Sequence, residues 1–352
     1  MIKKGHRADA VPHLGAKDSS AEQPPLCRNT KAPNGAKSMN TRLAGYAGTG
    51  TRTLPIIVMI FVLASATFVR NRVWQDSVRL WEDVVAKSPE KARPHYQIGF
   101  YYDMQERMNE AMREYQTALR LGPDRLSDRA HNNLGNIYAK QGRLEEAIRE
   151  FQAVLRESPN DAAAHVNLGI IYAKQGRKNE ALREFQTAVQ ASPDDATAHY
   201  SLGNAYQEQG RLDEAIREYQ TVLRLRPDHA EALNNLGLLY GEEGRFADAI
   251  GEFQAAIKVQ PGSAEAYNNL GIIFAKEGRY DEAVSAFQQA LLHQPDSAEV
   301  HKNIGIAYSY QGRFEEAIRE FQTALRIDPG HVGARSHLEN TYKKLRNNRS
   351  VK

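Results

Sequence analysis

The sequence predicts an all-α fold of stacked antiparallel helix pairs, and three features carry that expectation. A block of 34 residues recurs from Ala92 onward. Each block holds two apolar stripes at helical spacing, such as Leu236, Leu239, Tyr240 and then Ala249, Ile250, Phe253, Ile257. Each block also carries stop signals: a glycine between the stripes in six of seven blocks, and a proline at its end.

The blocks align on Ile98-Gly99, Leu134-Gly135, Leu168-Gly169, Leu202-Gly203, Leu236-Gly237, Leu270-Gly271 and Ile304-Gly305. Every interval is 34 except the first, which is 36 because Leu126-Ser127 are inserted. An aromatic stands three residues beyond each glycine, an alanine twelve beyond and a second aromatic sixteen beyond. The glycine of Leu-Gly and the repeat alanine are expected to let backbones approach, with aromatic rings filling the gaps beside them. Residues placed to cap the first helices are Ser127, Asp161, Asp195, Ser263 and Ser297, each worth about 1 kcal/mol through a free backbone N–H. The first block departs from the pattern: Glu106 replaces the turn glycine and Lys91 the cap. Lys178 stands at a position that is otherwise apolar.

This pattern resembles the tetratricopeptide repeat (TPR) over residues 92–331. The resemblance implies a right-handed TPR superhelical solenoid of antiparallel helix pairs, with seven repeats at 92–125, 128–161, 162–195, 196–229, 230–263, 264–297 and 298–331. Residues 70–91, with Trp74, Val78, Trp81 and Val85, fit a leading half repeat. Residues 332–352 fit a capping helix and a basic tail.

Ahead of the repeats, residues 1–52 lack apolar periodicity and read as a disordered basic tail. Residues 1–53 carry nine Lys/Arg against Asp9, Asp18 and Glu22. The rest of the chain is nearly neutral, which argues against nucleic acid as a partner. The single cysteine, Cys27, allows neither an internal disulfide nor a cysteine-based metal site. Residues 53–69 form a charge-free run of 17, at the short limit for one transmembrane helix. The alternatives are a cleaved signal peptide, with Ala64-Ser65-Ala66 as its cleavage motif, and a buried soluble helix.

The family binds peptides in the groove lined by its first helices. Asn133, Asn167, Asn235, Asn269 and Asn303 share one first-helix position. The row resembles the asparagine ladder of the O-linked N-acetylglucosamine transferase repeats, where amides hold an extended peptide backbone. Inter-repeat hydrogen bonding is the other use of such a row. Lys302 sits at a clamp-like position, but Ile306 one turn on replaces the required asparagine, so a chaperone-type carboxylate clamp is not expected. His95, His131, His165, His199 and His301 recur one repeat apart, which suits helix packing and not one coordination sphere. The Glu145-Glu146 and Glu315-Glu316 pairs, with Arg149 and Arg319 following, read as solvated helical charge pairs.

The passage from Arg70 through Trp74, Trp81 and Pro89 to Gly99 resembles the membrane-to-repeat junction of transmembrane-and-TPR proteins similar to O-mannosyltransferases. Catalysis in that family belongs to a multi-span part, and this chain has one candidate span. The expectation is a non-enzymatic, membrane-anchored scaffold for proteins or extended peptide segments, without cofactor, metal or small-molecule substrate. The alternative is a non-catalytic substrate-docking region of a membrane glycosyltransferase system. The expected place is a bacterial inner membrane, single-pass, with the repeats outside the cytoplasm, or a secreted or periplasmic form after signal cleavage.

Overall fold

The structure, a computed structural model, describes residues 77–122 and 126–350, with side chains to residue 348. The basic tail, the run 53–69 and the junction 70–76 lie outside the described residues. Sixteen α-helices and no strand occur among the described residues. In chain order they are α1 (Ser77–Lys87), α2 (Ala92–Met104), α3 (Met108–Arg120), α4 (Ser127–Lys140), α5 (Leu144–Glu157), α6 (Ala162–Lys174), α7 (Lys178–Ala191) and α8 (Ala196–Glu208). They continue with α9 (Leu212–Leu225), α10 (Ala230–Glu242), α11 (Phe246–Val259), α12 (Ala264–Lys276), α13 (Tyr280–His293), α14 (Ala298–Tyr310), α15 (Phe314–Ile327) and α16 (Val332–Ser350). None of these helices is long and apolar enough to cross a membrane.

The chain divides into two compact units, Met1–Ile171 and Tyr172–Lys352. In the first, α1 packs on α2, α2 on α3, α3 on α4 and α4 on α5. Val78 of α1 is buried, and Trp81 and Val85 pack against the cluster of Tyr96, Ile98, Tyr102 and Tyr115. In the second, each helix from α8 to α16 packs on the one before it. Its last helix buries Ala334 and Thr341.

One contact repeats through the core. At Gly99, Gly135, Gly203, Gly237, Gly271 and Gly305 the aromatic sixteen residues further on lies against the glycine's backbone. A Cβ added at Gly237 would sit 2.9 Å from the Phe253 ring, one at Gly271 2.6 Å from Phe287, and one at Gly135 2.7 Å from Phe151. Tyr115, Phe151, Tyr219, Phe253, Phe287 and Phe321 are almost fully buried by this arrangement. The repeat alanine stands one helical turn before each ring, and Ala111, Ala147, Ala215, Ala249, Ala283 and Ala317 are 0% exposed. A glycine and an alanine therefore open the space that one ring fills, and close packing leaves no slack at either.

The turn inside each repeat is set by a residue at positive φ. Gly142, Gly176, Gly210, Gly244, Gly278 and Gly312 lie at φ 73–78°. Glu106, in the first repeat, adopts φ 60° without being glycine. The same hydrogen bonds hold both kinds of turn. The Arg107 N–H donates to the Tyr102 carbonyl at 2.9 Å, as the Arg143 N–H does to Tyr138. Glu106 is thus held by its surroundings in a conformation costing an L-residue roughly 1–2 kcal/mol.

Asp161, Asp195, Ser263 and Ser297 cap first helices as expected, accepting from Ala164, Thr197, Ala266 and Val300 N–H groups. Ser127 does not: α4 starts at Ser127, and its cap residue is Leu126, which has no side-chain cap bond. The two inserted residues move the helix start by one position. The sequence reading also missed His229, whose Nδ1 accepts from the Ala232 N–H and caps α10.

Three substitutions separate these effects in thermal melts. Gly237→Ala forces a methyl into the Phe253 ring and should cost about 1–3 kcal/mol. Gly251→Ala, with no heavy atom within 4 Å of its Cβ, should instead stabilise by about 0.5–1 kcal/mol. Glu106→Gly should stabilise by about 1 kcal/mol as the backbone strain disappears. Equal melting temperatures for the first two would contradict the ring-on-glycine packing.

Candidate functional site

In the second unit, three successive first helices carry the same stripe at spacing i, i+3, i+7, i+11, one face of a helix. On α10 it is Glu231, Asn234, Leu238 and Glu242; on α12 Glu265, Asn268, Ile272 and Lys276; on α14 Glu299, Lys302, Ile306 and Tyr310. The first and last members are exposed, and Leu238, Ile272 and Ile306 are half-buried. Hydrogen bonds tie each stripe to the next first helix. Asn269 Nδ2 donates to Asn234 Oδ1 at 3.0 Å, and Asn303 Nδ2 to Asn268 Oδ1 at 3.0 Å. Asn234 Nδ2 donates to Glu265 Oε1 at 3.1 Å, and Lys276 Nζ to the Gly241 carbonyl at 3.3 Å.

The five ladder asparagines occupy one register, and their amides are partly engaged. Asn133 Nδ2 donates to the Tyr115 hydroxyl at 3.1 Å. Asn235 Nδ2 is shared among Asn204 Oδ1, the Tyr219 hydroxyl and the Tyr200 hydroxyl at 3.2–3.4 Å. Asn269 and Asn303 reach the neighbouring repeat, Asn167 and Asn269 are buried, and Asn133, Asn235 and Asn303 are half-buried. The row thus contributes inter-repeat bonds, whatever else it binds.

Around Asn235 the polar groups form a network. The Tyr219 hydroxyl lies 2.6 Å from Asn204 Oδ1 and 2.7 Å from Gln207 Oε1, and its single proton serves one of them at a time. Burial raises the Tyr219 and Tyr200 phenols, so both stay protonated donors at neutral pH. In the first unit, burial likewise raises Tyr115, with the nearby Asp103 adding to it. Asp103 is itself raised by burial, opposed by Lys140 at 3.9 Å. Asp103 Oδ1, Asn132 Oδ1 and Asn136 Oδ1 are buried acceptors with no hydrogen-bond donor among the described residues.

Two framework devices escaped the sequence reading. The arginine after each turn residue lies over the preceding aromatic, at 3.9–4.4 Å from Arg107 over Tyr102 to Arg313 over Tyr308. It also binds the carboxylate three residues on: Arg143 holds Glu146 and Arg313 holds Glu316. Those glutamates therefore brace the turn, and Arg149 and Arg319, their expected helical partners, act on them more weakly. Arg143 and Arg313 lower the Glu146 and Glu316 carboxyls through these bonds.

The histidines are the second device. His95, His131, His199 and His301 place Nδ1 at 2.5–2.7 Å from Glu114, Glu150, Glu218 and Glu320, each nineteen residues later. Nε2 of His95, His165 and His199 lies 2.9–3.0 Å from the carbonyl of the preceding repeat proline. The His95 and His199 rings each have a partner at both ring nitrogens. These residues clamp a repeat linker to its second helix, a more specific duty than the packing role the spacing suggested. A fixed spacing of nineteen from His to Glu was visible in the sequence and was the available signal.

The fifth repeat lacks the histidine. Leu233 stands there, and Glu252 keeps the carboxylate position. Glu252 is raised, first by burial and then by Asp248 one turn away.

These features define a class: a helical-repeat framework that spends its recurrent residues on packing and leaves a variable face along its first helices. Tetratricopeptide-repeat family models match residues 105–162 and 132–196, and, with a second model, 194–262 and 262–329. Together they span more than half of the chain, and the protein belongs to the tetratricopeptide repeat family. No curated protein matches it. Similar solved structures include YrrB, described as a TPR protein with an unusual peptide-binding site, at 26% identity and a TM-score of 0.46 over 52% of this chain and 95% of YrrB. MamA is 30% identical with a TM-score of 0.44 over 46% of this chain and 95% of its own. The APC/C Cut9–Hcn1 hetero-tetramer is 22% identical with a TM-score of 0.47, over 77% of this chain and 46% of that one.

Removal of the unpaired charge in the fifth repeat tests the clamp. A raised carboxyl binds its proton more tightly in the folded chain, so ionised Glu252 costs stability, and the cost vanishes as pH falls below its unfolded value. Glu252→Gln should therefore stabilise by about 0.5 kcal/mol at pH 7, with the gain disappearing near pH 4. Glu218→Gln, which breaks a His–Glu pair, should destabilise at pH 7. Thermal melts of both variants across pH 4–8 provide the check.

Proposed function

We propose that this protein is a non-enzymatic scaffold that binds extended protein segments along the exposed face of its first helices. One observation carries the reading. Leu238, Ile272 and Ile306 recur at a single position, stay half-buried, and are followed one turn on by the exposed Glu242, Lys276 and Tyr310, while the ring-on-glycine packing rests on other positions. A row of aliphatic side chains on a polar face has the anatomy of a binding surface.

On this reading Asn235, Asn269 and Asn303 line the floor of the groove in the second unit, and Asn133 and Asn167 take the same first-helix position in the first. Residues 53–69 anchor the chain in a membrane as a single span. The support is the charge-free run between Arg52 and Arg70, and the neutral body with its basic tail favours repeats on the side opposite the tail.

Site-specific photo-crosslinking in cells tests binding face and anchor together. A photoreactive residue at Ile272 should capture polypeptide, and one at the exposed Gln289 of α13 should not. The triple change Asn235→Ala, Asn269→Ala, Asn303→Ala should reduce capture severalfold and cost about 1 kcal/mol per lost inter-repeat bond. The crosslinked chain should remain with membranes after alkaline washing. Equal capture from both positions would refute the first-helix face, and a mature chain starting at Thr67 would refute the anchor.

A further inference from the structure

Building on that reading of the first-helix face, we infer that its ligand over α10, α12 and α14 is a polyproline-II segment with an aliphatic residue at every third position and cationic residues between. Two features fix this chemistry: the period of the aliphatic row and the sign of the charge beside it.

The period comes from the helices. Leu238, Ile272 and Ile306 lie on consecutive first helices whose short asparagine side chains bond directly across the gap. Packed helices of that closeness lie about 8–10 Å apart. A polyproline-II chain rises about 3.1 Å per residue with three residues per turn, so residues i, i+3 and i+6 point one way at intervals of about 9 Å. Each would meet one repeat. A β-strand covers a similar distance in three residues, but its side chains alternate, so i and i+3 face opposite sides. An α-helix at about 1.5 Å per residue needs six residues per repeat.

The charge comes from the first turn of each helix. Glu231, Glu265 and Glu299 form an exposed acidic row. They lie seven residues from the aliphatic row, about 10 Å along the helix axis, within combined reach of a ligand lysine and the glutamate side chain. Glu265 accepts only from the neutral Asn234 amide among the described residues. Glu231 faces His229 at 3.3 Å, and burial lowers that imidazole, which keeps it neutral at pH 7. Glu299 is the exception, since Lys302 and His331 bind it. Two of the three acidic positions therefore face no cationic side chain of the fold, and at Glu299 burial raises the carboxyl but Lys302 and His331 outweigh it and lower it. Lys276, the other cation on the stripes, is turned to the Gly241 carbonyl.

The test uses fluorescein-labelled synthetic peptides and the full chain in mild detergent, read by fluorescence anisotropy. The probe is a four-fold repeat of Leu-Pro-Lys. Its comparators are the same length of Leu-Pro-Pro-Lys, which breaks the three-residue period, and Leu-Pro-Glu, which reverses the charge. The Leu-Pro-Lys peptide should bind at least about tenfold tighter than either comparator, and its affinity should fall with added salt. Ile272→Asp should weaken it about tenfold or more, and Glu231→Lys with Glu265→Lys should transfer preference to the Leu-Pro-Glu peptide. The aliphatic positions are half-exposed and the glutamates exposed, and circular dichroism of each variant confirms that it is folded. Equal binding of all three peptides, lost with Ile272→Asp, overturns the inferred chemistry and leaves the scaffold reading standing. Binding that Ile272→Asp does not alter places the peptide elsewhere and overturns both.

Discussion

Everything in this fold depends on a ring lying on bare backbone. A helix pair of about thirty residues has little apolar surface to bury, so the few contacts it makes must be close. The glycine of each Leu-Gly removes a side chain where the second helix would otherwise be held off, and the aromatic sixteen residues later fills the space. The repeat alanine, one turn before the ring, does the same from the other helix. With Cβ-to-ring distances of 2.6–3.0 Å for a hypothetical alanine at the glycine, the geometry tolerates one residue type there. The helix crossing is set by this contact, and the turn, the arginine brace and the histidine clamp all refine what it establishes.

Those refinements have a common logic. A repeat must fix its own turn and its attachment to the preceding linker. The turn is fixed by a left-handed residue and by an arginine stacked on the aromatic and bonded to a carboxylate. The linker is fixed by a histidine that reaches a proline carbonyl on one side and a glutamate on the other. Exposed charge pairs alone contribute little, but the stacked arginine joins a cation–π contact to its ion pair. Where a part is missing, the neighbours show the strain: Glu106 sits in a conformation suited to glycine, and Glu252 carries an unpaired, partly desolvated carboxylate.

Much of the framework could be read from the sequence because its residues meet at fixed separations within one helix pair. The glycine and its ring are sixteen apart, and the caps stand directly before their helices. The error at Ser127 arose where an insertion breaks that regularity. The arginine brace and the histidine clamp were missed for a different reason. Both require knowing how far the turn carries the chain, and helical periodicity applies only inside a helix. The site was legible in part. The asparagine register was visible, but its bonds to Asn234 and Asn268 cross between repeats and depend on how neighbouring helices are set, which spacing within one repeat does not reveal.

Division of labour between positions lets one framework carry a face that changes from repeat to repeat. The recurrent residues point into the repeat and vary little from one block to the next. The stripe on the first helices is free to differ, and it does: Leu238 and Ile272 keep an aliphatic residue where Asn204 has an amide. Recognition built this way is additive along the chain, one small contact per repeat. Each contact is weak, and strength comes from holding several in one ligand whose period matches that of the helices. A rigid framework is then the condition for binding, because an error of spacing at one repeat accumulates at the next. The asparagine bonds between neighbouring first helices, Asn269 to Asn234 and Asn303 to Asn268, hold that spacing.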